Sequence, residues 1–588
     1  MNRPAVSGLL PVLFALAAFP CLGPCLGQEA KPPAAEKPKE PSEEGYPVAD
    51  TLVVSKCGGC HAKDEKGNLT RISWERTTPE GWQQAIKRMV RLHGVELTPE
   101  EARQIVRYLS NRHGLAPEEA RPVMYVAERR MIDETVPDES LKEACVICHS
   151  AGRPMSWRRS REEWDLLLNM HIGYFPVAEF QGFRRFPRRQ NAPPQPPGTD
   201  TRHPGDKAVD FLTKSYPLRT PEWSAWLAGM RAGKLAGRWL LTGAQPGPGR
   251  VVGEVEIEAT AQPDEFVTTT RLTWLKDGRT VTGKGRAIVY TGYAWRGRIE
   301  GVDGGTEPGN LKEARQVMMV SRDQSQIEGR WFWGGYDEFG IDVTLRRAGN
   351  DPVLFGVDRT ALRAGAAGQR VRIHGSNLPS DVKADEIEFG SGITVKRVLA
   401  DPAPSAGGLA VEVDVAAGAI PGKRDLAVRR HALTGALAVY DKIDYLKVTP
   451  EAAMARLGGT THPKGYQQFE AIACTRGPDN KIQTADDIEL GPVEDIHWSI
   501  EEFLAVYGDD DKEFVGSLSQ GGLFTPAREG PNPQRKFSRN NYGDVWVVAT
   551  WRPAGGEAAR DGKPATGRAH LVVTIPLYVR WDQPEVAQ

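Results

Sequence analysis

Two pentapeptides of one kind occur in this chain, Cys57-Gly58-Gly59-Cys60-His61 and Cys145-Val146-Ile147-Cys148-His149. At the Cys-X-X-Cys-His spacing, two thiols reach the two vinyl groups of one porphyrin and form thioethers. The adjacent histidine then supplies the proximal nitrogen to the iron. The motifs therefore predict two covalent haem c groups, held by Cys57, Cys60, Cys145 and Cys148, with His61 and His149 as proximal iron ligands. Two CxxC pairs can also build a four-thiolate zinc site. Such sites keep their pairs within about 15–20 residues of each other. Here the pairs stand much further apart, and each is followed at once by histidine. No βαβ pattern, the setting of a thioredoxin-like motif, surrounds either pair.

Each iron also needs a sixth ligand or an open position. Near the first motif the candidates are Met89 and His93, four residues apart on the helix face shared with Trp82. Near the second they are His171 and Met170. Trp164 and His171 share a face, and Met170 is rotated from it by about 100°. In this register Met89 and His171 occupy matching slots, which predicts one His–Met and one His–His haem, with His93 and Met170 as the other candidates. His113 lies past a helix end and reads as a surface or C-cap residue.

The elements that must position these groups form a weak internal repeat. The first unit runs from Cys57 through Ile72-Ser73-Trp74-Glu75-Arg76, Trp82 and Ile105–Leu109 to Pro117-Glu118. The second runs from Cys145 through Met155-Ser156-Trp157-Arg158-Arg159, Trp164 and Val209–Leu212 to Pro221-Glu222, with an inserted Pro/Arg-rich arm near Arg184–His203. Thr98, Pro99 and Glu101 spell a capping box that opens a helix bearing Ile105, Val106 and Leu109. From about Lys234 the pattern changes to alternation, as in Val255–Ala259 and Phe266–Thr270, with Gly and Pro turns between strands. The expected fold class is multidomain, an N-terminal all-α dihaem cytochrome c domain followed by three antiparallel β domains of barrel or immunoglobulin-like sandwich type. The boundaries are a signal peptide at 1–27, a disordered leader at 28–44, the cytochrome at 45–232, a barrel-like domain at 233–349, an IPT/TIG-like sandwich at 350–449 and a C-terminal sandwich at 450–588.

Arg3, the apolar run Leu9–Leu22 and the small residues ending at Gly27 make a secretory signal. Pro11 and Pro20 break that run, so no membrane span is expected. Haem attachment to bacterial cytochromes c occurs outside the cytoplasmic membrane, which agrees with a periplasmic location. With Cys21 and Cys25 in the signal and four cysteines in the motifs, Cys474 stands alone and is expected to be buried. The 75 basic and 76 acidic residues nearly cancel, and no basic field argues for nucleic acid. The arginine-rich stretch Arg153–Arg189 and the run Asp509-Asp510-Asp511 read as solvated loops.

The order of elements, with Trp82…Met89-Val90-Arg91-Leu92-His93-Gly94 and Trp164…Met170-His171-Ile172-Gly173-Tyr174-Phe175-Pro176, resembles the α subunit of quinohemoprotein amine dehydrogenase over essentially the whole mature length. The resemblance implies a periplasmic heterotrimer. In that family a small γ subunit carries a cysteine tryptophylquinone and the catalytic base, and a β subunit forms a seven-bladed propeller. Primary amines are oxidised at the quinone. The α-subunit haems pass the electrons to a soluble acceptor, a blue-copper protein or another cytochrome c. The chain itself would then hold no residue of the amine chemistry. The rival functions are a stand-alone dihaem electron carrier docked to another dehydrogenase, and a dihaem peroxidase with one open iron position. One further segment, Asp479–Asp487, is dense enough in oxygen to bind calcium but lacks EF-hand spacing. A turn satisfied by its own Asx hydrogen bonds is the favoured reading there.

Overall fold

A computed structural model describes residues 43–124, 136–184, 196–302, 305, 307–400, 408–459, 461–493, 495–504, 509–553 and 562–576. The expected signal, nearly all of the leader, most of the Arg/Pro arm and the expected closing strand Leu577–Trp581 lie outside the described residues.

Helix α1 (Thr51–Cys57) is N-capped by Asp50 and runs straight into the first motif, where the His61 N–H donates to the Cys57 carbonyl at 2.9 Å. Strand β1 (Glu75–Thr77) follows, and α2 (Pro79–His93) starts at Thr78 with proline in its first turn. It stops at Gly94, whose φ of 70° is the left-handed C-cap conformation that glycine adopts without strain. Helix α3 (Pro99–Arg112) opens on the expected Thr98–Glu101 capping box, and α4 (Pro117–Ala120) closes the unit. The second unit repeats the plan. Helix α5 (Glu139–Ala144) precedes the second motif, and α6 (Gly152–Met155) and β2 (Trp157–Arg159) follow it. Then come α7 (Arg161–Tyr174), N-capped by Ser160, α8 (Pro204–Ser215) and α9 (Pro221–Gly229).

The N-terminal region is therefore not all-α. Strands β1 and β2 pair antiparallel, with Glu75 opposite Arg159, Arg76 opposite Arg158 and Thr77 opposite Trp157. A three-residue strand is too short to show alternation, and its arginines read as surface. They are in fact inside. Arg76 is fully buried and donates to both oxygens of Glu119 (3.0 and 3.1 Å), to the Gly114 and Leu218 carbonyls and to Thr220. Arg158 donates to the same Glu119 carboxylate at 3.1 Å. Burial alone would raise the Glu119 carboxyl, but the Arg76 hydrogen bonds and the two guanidinium charges hold it below the usual carboxylate range. On the opposite face of the ladder Arg159 pairs with Glu75, its guanidinium over the rings of Trp157 and Trp164. The solvated reading of the arginine-rich stretch thus fails at Arg158 and Arg159.

His113 is the C-cap of α3, as the sequence allows, but it is buried rather than at the surface. Its ring packs among those of Tyr46, Trp82 and Tyr108. Its carbonyl accepts the Trp82 indole N–H at 2.8 Å, which ties α2 to the end of α3.

Strands β3 (Gly237–Gln245), β4 (Gly249–Ala259), β5 (Glu265–Trp274), β6 (Thr280–Tyr290), β7 (Ala294–Glu300), β8 (Ala314–Val320), β9 (Gln326–Trp333) and β10 (Phe339–Arg347) form a closed barrel, each antiparallel to the next, with β10 returning to β3. Alternate residues of β5, from Phe266 through Thr268, Thr270 and Leu272 to Trp274, are buried. An eight-stranded barrel is just wide enough for side chains to fill it, and Trp239, Trp274, Trp295 and Trp331 belong to its buried core. The helical region is seated on this barrel. Trp226 donates to the Thr291 carbonyl (2.9 Å), the Thr291 N–H to Asn111 (2.6 Å), and the Tyr293 hydroxyl to the Leu115 carbonyl (3.0 Å).

Two further β blocks follow. In the first, the sheet of Val353–Val357, Gln369–Ser376, Leu409–Val415 and Ile393–Leu399 and the sheet of Ala361–Arg363, His431–Tyr440, Gly422–Val428 and Ile387–Glu388 share one core. The last block is built on sheets including Tyr445–Thr449, Glu470–Thr475 and Ile488–Pro492, and Ala452–Arg456, Thr566–Thr574, Gly543–Trp551 and Ile496–Glu502. The pairing is not wholly antiparallel. Ala361–Arg363 runs parallel to His431–Tyr440, and Ala452–Arg456 runs parallel to Thr566–Thr574. Both exceptions join segments far apart in sequence, where no hairpin dictates direction. Cys474 is buried, and burial pushes its thiol up to about 11.

Two outcomes are expected. Glu119→Ala leaves Arg76 buried without its counter-ion and lowers stability by roughly 3–5 kcal/mol in denaturant unfolding. The pH dependence follows from His113. Burial, reinforced by Arg76, holds its imidazole down to about 3 from an ordinary 6.5. As pH falls, the unfolded chain binds this proton first. The stability from the neutral buried ring is complete above 6.5 and is lost between 6.5 and about 3. The loss is at most roughly 5 kcal/mol, and His113→Phe should flatten that limb of the stability–pH curve.

Candidate haem sites

In each motif the first thiol is half-buried and the second exposed, so Cys57 and Cys145 sit against the core while Cys60 and Cys148 face outward. Burial raises the Cys57 thiol and pushes that of Cys145 up to about 12. The histidines share a hydrogen-bonding habit. Nδ1–H of His61 donates to the Thr70 carbonyl at 2.8 Å, that of His149 to the Ser150 carbonyl at 3.0 Å, and that of His171 to the Leu167 carbonyl at 2.8 Å. A carbonyl can only accept, so Nδ1 carries the proton in all three and Nε2 keeps its lone pair, the tautomer an iron ligand needs. Burial also favours the neutral ring, lowering His171 and holding His149 down to about 4.

The two motifs and their candidate sixth ligands are positioned by equivalent elements. Trp82 and Trp164 each stand four residues past their N-caps, Thr78 and Ser160, and Met89 and His171 each stand eleven past them. The His171 ring lies opposite that of His149, with centroids 6.4 Å apart. Two imidazoles bound on opposite sides of one metal through bonds of about 2 Å hold their centroids roughly 6 Å apart. The centroid spacing of the pair matches that distance. Phe183 meets the His171 ring edge-on at 6.0 Å. Met170, one step around the helix, is half-buried. In the first unit Met89 is half-buried and His93 is exposed, and His61 has no ring partner among the described residues comparable to His171. His93 Nε2 is instead hydrogen-bonded to the Tyr174 hydroxyl at 2.8 Å.

Segments carrying the candidate ligands also expose large apolar side chains, among them Leu92, Ile147, Phe175, Val177 and Phe180. An apolar macrocycle and a partner surface are the two things such side chains suit. Beneath them lies a charge cluster that sequence reasoning missed. Arg71 pairs with Glu163 at 2.6 Å and Arg159 with Glu75, and the half-buried Arg88 lies in the field of Glu75 and Arg159. Burial and the Glu75 carboxylate raise the Glu163 carboxyl, against Arg71 and Arg159. The paired Trp-Glu-Arg and Trp-Arg-Arg strings mark these positions in the sequence, but only as a repeat.

The other oxygen-rich segments are internally satisfied. Around Asp479–Asp487 the carboxylates accept from backbone N–H groups of Gly477, Asp479 and Lys481, and from the Tyr445 hydroxyl at 2.7 Å. Asp509, Asp510 and Asp511 lie close enough to one another to hold a cation, but Arg535 and Arg539 already pair with them and Asp511 is buried, so this run is not a solvated loop.

Four family models match the chain in order. The haem-binding model of the quinohemoprotein amine dehydrogenase alpha subunit covers residues 48–189, and those of its domains II, III and IV cover 232–348, 351–441 and 446–586. No curated protein matches. Among solved structures, a redesigned beta barrel is 20% identical, spanning 20% of this chain and 97% of its own, at a TM-score of 0.17. A human mucin-like protocadherin fragment, EC1-2, is 10% identical, spanning 39% and 99%, at 0.16. Scores this low carry no argument.

Proposed function

Because the chain belongs to the family of quinohemoprotein amine dehydrogenase alpha subunits, we propose that it is the electron-transfer subunit of a periplasmic amine dehydrogenase. In this reading it binds two haem c groups, takes electrons from a cysteine tryptophylquinone in a small partner subunit, and passes them to a soluble blue-copper protein or cytochrome c. A propeller subunit completes the assembly. One observation carries the reading: the haem-binding match spans both Cys-X-X-Cys-His motifs. Bound haem iron exchanges one electron at a time.

The chain's own residues do the rest. Cys57 and Cys60, and Cys145 and Cys148, anchor the two porphyrins. His61 and His149 present unprotonated Nε2 atoms, oriented by the Thr70 and Ser150 carbonyls. His171 faces His149 as the sixth ligand of the second site, and Met89 takes the matching slot in the first. A peroxidase would need one of the two irons to lack its sixth ligand, so it is the first site, with Met89 in its slot, that separates that reading from this one. The β domains supply surface for the partner subunits. No helix among the described residues is long and apolar enough to cross a membrane.

The expected result on purification from the native host is a red protein with two haems that brings down a small quinone-staining chain. A haem-bearing chain that always purifies alone would favour a stand-alone carrier, and a colourless one would remove the premise. His171→Ala should open one iron, so that a ferric spectrum changes on cyanide addition where the wild type responds slowly. Met89→His should lower one midpoint potential in a redox titration and leave the other in place, because a second histidine stabilises ferric iron relative to a methionine sulfur.

A further inference from the structure

Helices α2 and α7 belong to different haem units, yet a polar contact between side chains joins them, His93 Nε2 to the Tyr174 hydroxyl at 2.8 Å. The contact lies at the end of each helix. His93 is the last residue of α2, one turn beyond Met89, and Tyr174 is the last residue of α7, just under one turn beyond His171. So each helix presents a candidate iron ligand and, one turn on, one half of a bridge to the other helix.

The nitrogen used separates His93 from the three other candidate iron-ligand histidines. His61, His149 and His171 all spend Nδ1 on a backbone carbonyl and leave Nε2 open. His93 engages Nε2 with a side chain of the other unit. His171 is flanked instead by the rings of Phe175 and Phe183. We propose that His93 is not an iron ligand, and that the His93–Tyr174 contact is a positioning link that fixes the two haem-bearing helices end to end and couples their redox centres. This rests on the dihaem electron-transfer reading. Electron tunnelling weakens steeply with each gap it must cross, and a hydrogen bond between two conjugated side chains is a shorter gap than open space.

The test uses the full haem-loaded protein and the variants His93→Leu, Tyr174→Phe, the double variant, and His93→Gln, whose amide can still hydrogen-bond. Three readouts are taken: the low-spin ferric spectrum of each haem, the spacing of the two midpoint potentials, and the rate of electron equilibration between the haems after rapid partial reduction. His93→Leu and Tyr174→Phe should keep both low-spin spectra and slow equilibration several-fold. The double variant should be no slower than either single one, since both remove the same contact, and His93→Gln should recover much of the rate. Loss of one low-spin spectrum in His93→Leu overturns the proposal by making His93 a ligand. Unchanged equilibration in both single variants also overturns it, while leaving the dihaem reading intact. A wild-type chain that carries no haem would instead sink the function reading, and this inference with it.

Discussion

The arrangement of the two haem units depends on one carboxylate held between two guanidinium groups. Arg76 and Arg158 stand directly opposite each other across the β1–β2 ladder. Like charges in that position repel, and burial would make both costly. Glu119 reaches up from α4 and accepts from both. Such a buried cluster need not outperform well-packed apolar side chains in raw stability. What it supplies is register. A slip of one residue would turn every side chain of a strand to the other face, stranding an arginine away from Glu119 and, on the opposite face, separating Glu75 from Arg159. Only the observed pairing satisfies both faces at once. Since β1 precedes α2 and β2 precedes α7, this register also sets where Met89 and His171 stand relative to each other.

Local signals explain what could be read in advance. The haem motifs are defined by covalent chemistry, and the Thr98–Glu101 box, the tryptophans at 82 and 164 and the alternation of the barrel strands are short-range patterns. The features that escaped reading are long-range. Arg158 and Arg159 look like surface residues until a carboxylate from elsewhere in the chain is placed beside them. His113 looks like a surface cap because the rings of Tyr46 and Trp82, which bury it, arrive from other elements. The parallel pairings of Ala361–Arg363 and Ala452–Arg456 join distant segments, and Arg535 pairs with two residues of an acidic run that by itself reads as solvated. The matching slots of Met89 and His171 were legible because they depend only on distance from an N-cap. The hydrogen bond between His93 and Tyr174 was not legible, because it joins two units far apart in sequence.

The same logic divides labour within the chain. The barrel core includes tryptophans whose indole N–H groups find partners inside it, Trp274 on Gln245 and Trp295 on Gln316. A barrel packed in this way is a rigid post. It seats the helical region through hydrogen bonds from Thr291 and Tyr293 and ion pairs from Glu265 and Arg296. Rigidity at that joint is what an electron carrier between two partners requires, since its rates depend on fixed distances and not on moving parts.

On the proposed ligation the two sites differ by design of position rather than of fold. One capped helix, repeated, brings a thioether to the first iron and an imidazole to the second. The sulfur favours ferrous iron and the imidazole favours ferric, so near-identical scaffolds acquire different potentials through a single side chain. Charge then adds to this. Arg88 and Arg159 both act on the His171 ring, and a positive field disfavours the ferric state of whatever iron it surrounds. Arginines beside the second site therefore act against part of the lowering that a second histidine brings.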